Sequence, residues 1–318
     1  MLNSPLRIHR YPLATAIHRS PEFAKKKLAD FSVNVGVKCG HACTYCSSGA
    51  VLRCHRAFRE LSESPFKNGY AIVDPDIPEK VAAESKRIRK RGLVQLCTTV
   101  DAWCPAAQKH DLGRRCLEAL LSEPGWTVRI LTKNTAVARD FDLVKKHRDR
   151  VLVGLSLTGT ADKDKVLAVV EPNASPVSER MQVLREARDR GLRTFGMLCP
   201  LLPGIADAPA QIEELVAFLD QCGVEEVFAE AVNQRGPGLK ATEESLRESG
   251  FLAEAASLAR IRSAENWSAY VADLIGNLQV ALRAHNIIDK LRFLLYPTKL
   301  LPADRARIEA DAAGVVWL

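Results

Sequence analysis

The sequence has few of the features that mark membrane or secreted proteins. No apolar run in its 318 residues approaches the ~20 residues that a membrane-spanning helix needs. The N-terminus lacks a charged segment followed by an apolar core and a cleavage site, so no secretory signal is expected. The nine cysteines are an odd number, which argues against a disulfide framework. We therefore expect a cytoplasmic protein in a reducing compartment, without membrane association.

Acidic residues are scarce only in the first part of the chain. Residues 1–70 contain eleven Lys or Arg residues against four acidic residues, a difference that equals the net charge of +7 of the whole chain. Such an excess attracts nucleic acid or another anionic substrate. It is equally compatible with a solvated face that aids solubility, because no aromatic-rich nucleic-acid motif accompanies it. Both interpretations stay open on the sequence.

Cysteine, by contrast, is concentrated in one short stretch. Three cysteines stand in the run Cys39-Gly-His-Ala-Cys43-Thr-Tyr-Cys46, directly after a strand-like apolar run. Thiolates hold iron–sulfur clusters, usually four per [4Fe–4S] unit, so three would leave one iron open for another ligand. A zinc site is the alternative, with His41 or His55 as a fourth ligand. The spacing favours a cluster held by the three cysteines.

This motif resembles that of the radical S-adenosylmethionine superfamily. The resemblance rests on the C-x3-C-x2-C spacing and on an aromatic residue, Tyr45, before the last cysteine. It implies that S-adenosylmethionine binds the open iron. It further implies reductive cleavage to a 5′-deoxyadenosyl radical, with the electron supplied by an external one-electron reductant of the flavodoxin or ferredoxin type.

Apolar runs alternate with amphipathic helical stretches along most of the chain. After a first strand over residues 31–37, apolar runs occupy residues 93–97, 128–131, 151–157, 193–198 and 224–228. Such alternation predicts an α/β fold with parallel strands and right-handed crossovers. Six strands suit a partial TIM-like (β/α)6 barrel, which the resemblance also implies. We expect an N-terminal arm (1–30), a core (31–238) and a mostly helical C-terminal extension (239–318).

Polar residues follow the predicted strands, at the edge where barrel enzymes place their active sites. Asp101, Lys133, Ser156 and Asn233 each stand at or near a strand end. A lysine, hydroxyls, an amide and a carboxylate suit the carboxylate, ammonium and ribose of S-adenosylmethionine. A simpler alternative for Lys133 is a side chain exposed to solvent. For Ser156 it is a hydroxyl that only forms hydrogen bonds with backbone groups.

Here the resemblance narrows to the spore photoproduct lyase-like branch, also called DNA-repair photolyase-like. The phrases that carry it are Thr132-Lys133, Ser156, Glu171-Pro172-Asn173-Ala174-Ser175-Pro176 and Leu202-Pro203-Gly204. It implies that Lys133 and Ser156 contact the methionyl end of S-adenosylmethionine, and that Asp101 and Asn233 lie in the same cup.

The same resemblance points to hydrogen-atom chemistry at a thiol. In the lyase a cysteine at the end of the second strand donates a hydrogen atom to the product radical, and Cys97 occupies a matching place. Packing as a small buried hydrophobe is the alternative for Cys97, and Cys104 is a rival donor. The lyase also carries tyrosines on both sides of the third cysteine, whereas here only Tyr45 is present and Ser47 follows. The tyrosine relay is therefore incomplete, which puts thymine-dimer repair in doubt.

The sequence thus favours a radical enzyme that abstracts hydrogen from a substrate, such as a nucleic-acid lesion. Alternatives are modification of a peptide or small metabolite, or a metal-stabilised nucleic-acid-binding protein without radical chemistry. In the C-terminal extension, Trp267, Tyr270 and Tyr296 either line a substrate mouth or pack in the core.

Overall fold

Parallel strands with helices on their outer side organise the chain. The computed structural model describes residues 6–234 and 236–318, so residues 1–5 of the predicted arm lie outside the described residues. The strands are β1 (Arg7–Arg10), β2 (Ile17–Arg19), β3 (Phe31–Val33), β4 (Gly36–Lys38), β5 (Tyr70–Val73), β6 (Leu93–Leu96), β7 (Thr127–Thr132), β8 (Val151–Leu155), β9 (Arg193–Thr194), β10 (Gly196–Leu201), β11 (Val227–Ala231), β12 (Leu291–Leu295) and β13 (Val315–Trp317).

The helices fall mostly between successive strands, as the alternating pattern predicts. They are α1 (Pro21–Lys25), α2 (Ser48–Val51), α3 (Arg56–Glu60), α4 (Ile77–Arg87), α5 (Pro105–Gln108), α6 (Leu112–Leu121), α7 (Phe141–Lys146), α8 (Asp164–Val170), α9 (Val177–Asp189), α10 (Pro209–Gln221), α11 (Gly238–Glu248), α12 (Leu252–Arg260), α13 (Ala264–Ala284) and α14 (Pro302–Ala310). No helix among the described residues is long and apolar enough to cross a membrane.

The barrel sheet is built from two parts that one bridge joins. One part has the strand order β2-β3-β6-β7-β8-β9 and the other the order β10-β11-β12-β13. A parallel bridge between Ser156 and Met197 connects them, and all their pairings are parallel except that of β2 with β3. The structure confirms the α/β fold and the partial barrel. β12 and β13 extend its sheet beyond the predicted six strands.

The first predicted strand divides in two. β3 stays in the barrel, whereas β4 pairs with β5 in a separate small sheet of order β1-β5-β4. Gly36 permits this crossing, because a Cβ there would lie 2.1 Å from the carbonyl oxygen of Ile72. The chain therefore leaves the barrel just before the cysteines, and the cysteine loop begins on the small sheet.

The barrel interior is filled partly by the N-terminal segment. Leu28 packs with Leu152, Phe195 and Phe228 in a buried cluster. Leu152 and Phe228 stand on β8 and β11, where their neighbours Val153 and Val227 pack in the main core on the other face, as period-2 geometry requires. β1 and β2 also pair with strands of the two sheets, so the described part of residues 1–30 is integrated into the fold.

Residues 239–318 pack on the same barrel and also contribute strands to it. β12 lies beside β11, and β13 beside β12. Helix α13 packs against α10 on the outer side. The predicted division at residue 238 stays a prediction, since the sheet runs through both parts.

Candidate active site

The cysteine loop, which lies between β4 and α2, is anchored on the segment that follows α8. Asn173 donates from its side-chain nitrogen to the carbonyl of Gly40 at 3.0 Å and from its backbone to that of His41 at 3.2 Å. The backbone N–H of Thr44 donates to the carbonyl of Val170 at 2.9 Å. The loop conformation therefore depends on contacts with a distant part of the chain.

One cavity of about 300 Å³ adjoins this loop at the carboxyl ends of the strands. All the residues predicted for the site border it, namely Cys39, Cys43, Tyr45, Cys46, Cys97, Asp101, Lys133, Ser156 and Asn233. Its volume is at the lower end of the ~300–1,000 Å³ found for ligand pockets. The fold thus brings these side chains together, while their individual roles remain predictions.

The donor chemistry of this wall fits an iron–sulfur cluster. All three loop thiols are free, and burial raises the pKa of Cys43 to about 12. A hydrogen bond with Cys104, then burial, raises the pKa of Cys39, so metal binding has to displace protons here. Across the described residues no three His, Cys, Asp or Glu side chains surround a single-ion site. A cluster has a different requirement, because each thiolate binds its own iron.

Two further side chains beside the loop support this fit. His41 borders the cavity and is 2% exposed, and its Nε2 has no hydrogen-bond partner within the described part of the chain. Lys38 lies close to all three thiols, and burial lowers its pKa. The Lys38 ammonium donates to the carbonyl of Pro65 at 2.9 Å. A cation here would offset the negative charge of bound thiolates.

The segment after β6 is held by two side chains that accept backbone N–H groups. Asn34 Oδ1 accepts from Thr98 at 2.9 Å and from Thr99 at 2.8 Å. Asp101 Oδ2 accepts from the backbone N–H of Lys133 at 2.8 Å, and both its oxygens accept from the Thr132 hydroxyl. The Asp101 carboxylate is therefore engaged within the protein, where it fixes the backbone that carries Lys133.

Lys133 is not a solvated lysine, since its side chain is 15% exposed. Its ammonium lies 3.0 Å from Glu171 and donates to the Ser156 hydroxyl at 2.8 Å and the Cys199 carbonyl at 3.4 Å. The Ser156 hydroxyl in turn donates to the Cys199 carbonyl at 2.6 Å. Lys133 and Ser156 thus form one unit on the cavity wall, as a pair that holds a carboxylate requires.

A buried carboxylate stands behind this unit. Glu171 is 3% exposed and pairs with the Arg180 guanidinium at 2.5 Å as well as with Lys133. Burial alone would raise the pKa of Glu171, but Arg180 and Lys133 outweigh it and hold that pKa at about 2. Arg180 also donates to the carbonyl of Ser156 at 2.5 Å. Two cations on one carboxylate leave this part of the wall positive, which suits an anionic ligand group.

The Tyr45 phenol belongs to the same network. It donates a hydrogen bond to Glu171, and the Lys133 ammonium lies 5.8 Å from the centre of its ring. Burial, followed by the charge of Cys43, raises the pKa of Tyr45. Ser47 stands at the start of α2, where the second tyrosine of the lyase relay is missing.

Aromatic residues of the C-terminal extension divide between two environments. Trp267 and Tyr296 border a smaller cavity of about 70 Å³, which shares Asn233 with the larger one. Tyr270 instead donates to the carbonyl of Leu201 at 2.9 Å. Trp267 and Tyr296 thus border the smaller cavity, Trp267 is also buried in the main core, and Tyr270 supports that core.

The eleven basic residues of the first 70 positions occupy two places. Seven lie on the small-sheet lobe beside the cysteine loop, here called the basic lobe: Arg7, Arg10, Lys38, Arg53, Arg56, Arg59 and Lys67. All of these except Lys38 are exposed. Arg19, Lys25, Lys26 and Lys27 lie in the β2–β3 region instead, so only part of the excess surrounds the cysteine loop.

Several residues that shape the site were missed in the sequence. Glu171 stands in the phrase that carries the resemblance to the lyase branch, and Arg180 lies among the polar residues of a helix, where nothing in the sequence marks it. Asn34 carries a signal, because a polar residue interrupts the apolar strand at residue 34. Glu230 is the acidic residue of an otherwise apolar strand, β11, and that interruption was equally readable.

Comparisons with known proteins agree with this site. A sequence model of the Radical SAM superfamily matches residues 33–219. An uncharacterized protein of Acidianus two-tailed virus is 28% identical over 232 residues, which are 70% of this chain and 74% of that protein. One from Methanocaldococcus jannaschii is 24% identical over 193 residues, 60% of this chain and 67% of that protein.

Solved structures share the fold. Spore photoproduct lyase in complex with dinucleoside spore photoproduct superimposes with a TM-score of 0.52 at 15% identity. A mutant of that lyase with bound AdoMet and the same ligand gives 0.51 at 15%. The matches cover 76% of this chain, which spans 66% of the length of the lyase chains. The family match covers more than half of the described chain and includes the three cysteines and Lys133. The chain therefore belongs to the radical S-adenosylmethionine superfamily, whose cofactors are a [4Fe–4S] cluster and S-adenosylmethionine.

Proposed function

We propose that the protein is a radical enzyme that abstracts a hydrogen atom from an anionic substrate, with nucleic acid as the first candidate. The observation that carries this proposal is the single cavity that joins three free thiols to the Lys133–Ser156 unit. When bound, the cluster supplies one electron to the sulfonium of S-adenosylmethionine, and methionine and a 5′-deoxyadenosyl radical result.

The remaining roles belong to residues of this chain. Cys39, Cys43 and Cys46 would hold the cluster, and Lys133 with Ser156 would hold the carboxylate of S-adenosylmethionine. Two observations support the second assignment: Lys133 is already desolvated, and a second cation, Arg180, neutralises Glu171 behind it. A carboxylate at this wall would therefore meet net positive charge.

Three residues have supporting roles in this proposal. Asp101 acts by fixing the backbone of Lys133, as its hydrogen bonds indicate. Asn233 borders both cavities and would contact the part of the ligand nearest the mouth. The Tyr45 phenol would keep Glu171 oriented and ionised through its hydrogen bond.

The basic lobe supports an anionic substrate. Arg7 and Arg10 lie on the sheet that carries the cysteine loop, and the other four exposed residues of the lobe lie in the segment between that loop and β5, so a polyanion attracted there would reach the cavity. Spore photoproduct lyase acts on a dinucleoside photoproduct by its name, and a nucleic-acid lesion is the analogous substrate. The cluster also needs an external one-electron reductant of the flavodoxin or ferredoxin type. A reducing compartment such as the cytoplasm suits nine free cysteines.

The test is anaerobic reconstitution with iron and sulfide, followed by reduction in the presence of S-adenosylmethionine. We expect a brown protein that forms 5′-deoxyadenosine and methionine, and a variant with Cys39, Cys43 and Cys46 replaced by Ala that forms neither. Cys54→Ala is the matched control, because Cys54 is exposed and does not border the cavity. A colourless protein with stoichiometric zinc, or full cleavage by the triple variant, would contradict the proposal.

The substrate class is tested separately by the salt dependence of binding. Oligonucleotide affinity should fall steeply with salt, because each neutralised phosphate releases counterions. Replacing Arg53, Arg56 and Arg59 by Gln should lower both the affinity and that slope. Affinity that does not change with salt would exclude a role for the basic lobe.

A further inference from the structure

Two further cysteines, Cys97 and Cys199, border the cavity, and their side chains pack in different clusters. Cys199 stands on β10 and belongs to the cluster that faces the barrel interior, together with Leu131 and Met197. Phe195 and Met197, at alternate positions before Cys199, lie in the same cluster, whereas the intervening Leu198 packs in the main core. The alternation of β10 therefore points the Cys199 side chain inward.

Cys97 also borders this cavity, but its side chain packs in the main core. It follows β6 and has a backbone φ of 72°, in the left-handed region that residues other than glycine rarely adopt. Its thiol is 4% exposed and lies near Cys104 and near Cys116 of the outer helix α6. The N–H of Ala102 donates to it. The Cys97 thiol thus belongs to the layer between sheet and helices.

The Cys199 thiol has a carboxylate beside it. Its Sγ lies 3.8 Å from Glu230 Oε2 on the adjacent strand β11, within the range of a hydrogen bond from sulfur. Because an ionised carboxylate only accepts, the S–H is the donor. Burial, then the charge of Glu230, raises the pKa of Cys199 to about 12, against the opposing charges of Lys133 and Lys26. The thiol therefore keeps its hydrogen at neutral pH.

The position of Cys199 also ties it to the site. Its carbonyl accepts from both Lys133 and Ser156, the pair assigned to S-adenosylmethionine. The same cavity is bordered by His41, whose buried Nε2 has no hydrogen-bond partner among the described residues. Cys199 is thus a protonated thiol in a cavity with independent signs of a ligand.

From this geometry we infer that Cys199, oriented by Glu230, donates a hydrogen atom to a carbon radical formed in the cavity; the inference rests on the proposed function. The S–H bond breaks homolytically and a C–H bond forms, so the carbon radical is quenched and a thiyl radical remains on Cys199. One electron from the flavodoxin- or ferredoxin-type reductant and one proton from water restore the thiol. Thiol hydrogen is held more weakly than carbon-bound hydrogen, so the transfer runs in this direction.

The first experiment needs no substrate. The cluster-loaded protein cleaves S-adenosylmethionine in D2O with a reductant that carries no thiol, and mass spectrometry measures deuterium at C5′ of the 5′-deoxyadenosine. Since thiols exchange with D2O, we expect deuterated product from the wild type and loss of the label in Cys199→Ala. Cys54→Ala should keep the label.

The outcomes separate the two proposals. Loss of label in Cys97→Ala with retention in Cys199→Ala would overturn the role of Cys199. Retention in both variants would overturn it as well. If the wild type forms no 5′-deoxyadenosine at all, the proposed function itself is wrong.

A second experiment measures how fast the Cys199 thiol is alkylated in the protein before the cluster is loaded. Iodoacetamide modification, mapped by peptide mass spectrometry, should reach Cys199 before Cys97. In Glu230→Gln the rate at Cys199 should rise, because loss of the neighbouring negative charge lowers the pKa of Cys199 and increases its thiolate fraction. The groups that face this thiol are Glu230, Lys133 and Lys26. A faster Cys97, or a rate at Cys199 unaffected by Glu230→Gln, would contradict the orientation on which the inference depends.

Discussion

Two ends of the barrel each hold an ion pair between a buried arginine and a glutamate, and the two pairs differ in their surroundings. At the cavity end Arg180 contacts Glu171 at 2.5 Å. At the other end Arg129 contacts Glu226 at the same distance. The Arg129 guanidinium lies between the rings of Phe195 and Phe228, at 5.0 and 4.9 Å from their centres.

The two pairs differ in the additional groups that contact them. Arg129 also donates to the carbonyls of Lys27 and Leu28, so backbone and aromatic faces satisfy it. Glu171 instead receives a second cation, Lys133, which borders the cavity. A buried ion pair alone is therefore weak evidence of function. An extra cation beside a cavity indicates a place for an anionic ligand group.

The largest difference between the two ends should be in the loss of unfolding free energy when the glutamate of each pair is removed. Glu171→Ala leaves Arg180, which is fully buried, without a counter-charge, so the free energy of unfolding should fall by about 3–5 kcal/mol. Glu226→Ala should cost less, because the Glu226 side chain is 24% exposed and Arg129 keeps its other partners. Urea unfolding measures both.

Glu225→Ala is the surface control for that series. Glu225 pairs with Arg193 in solvent, and loss of such a pair costs below about 1 kcal/mol. Equal losses for Glu171→Ala and Glu225→Ala would show that the cavity-end pair is not stabilised by burial.

A smaller effect is expected on ligand binding. Lys133→Ala should weaken S-adenosylmethionine binding to the cluster-loaded protein by about 1.5–3 kcal/mol, the contribution of a hydrogen bond to a charged group. Arg129→Lys, at the opposite end, should leave that affinity unchanged. Calorimetry compares the two, and an unaltered affinity in Lys133→Ala would remove the role of Lys133.

The smallest effect is expected from mild acid. The pKa of Glu171 is lowered from 4.5 to about 2, so its contribution to stability is complete above pH 4.5 and is lost as pH falls toward 2. Between neutral pH and 4.5 the wild type should therefore lose little from this group. Below that pH its unfolding free energy should fall more steeply than that of Glu171→Gln. Parallel acid profiles would mean that Glu171 does not titrate in this way.

The sequence predicted the parts of this protein that depend on short stretches of chain. The spacing of Cys39, Cys43 and Cys46 is a property of the covalent chain, so it indicates the family without any information on tertiary contacts. Apolar periodicity predicted amphipathic helices between the strands, and α6, α9 and α10 are such helices, because burial of one face follows from spacing alone. The strands that carry Lys133 and Ser156 were predicted in the same way.

What only the tertiary structure decided is which side chains meet and where each one points. The Tyr45 phenol meets Glu171 across 126 residues of chain, and the Asn173 side chain holds the cysteine loop across 133. The Cys97 side chain packs in the main core, whereas the Cys199 side chain packs in the separate cluster that contains Phe195 and Met197. Such features depend on the order and register of strands in the sheet, which sequence periodicity does not contain, because it records only the face that each residue turns toward the core.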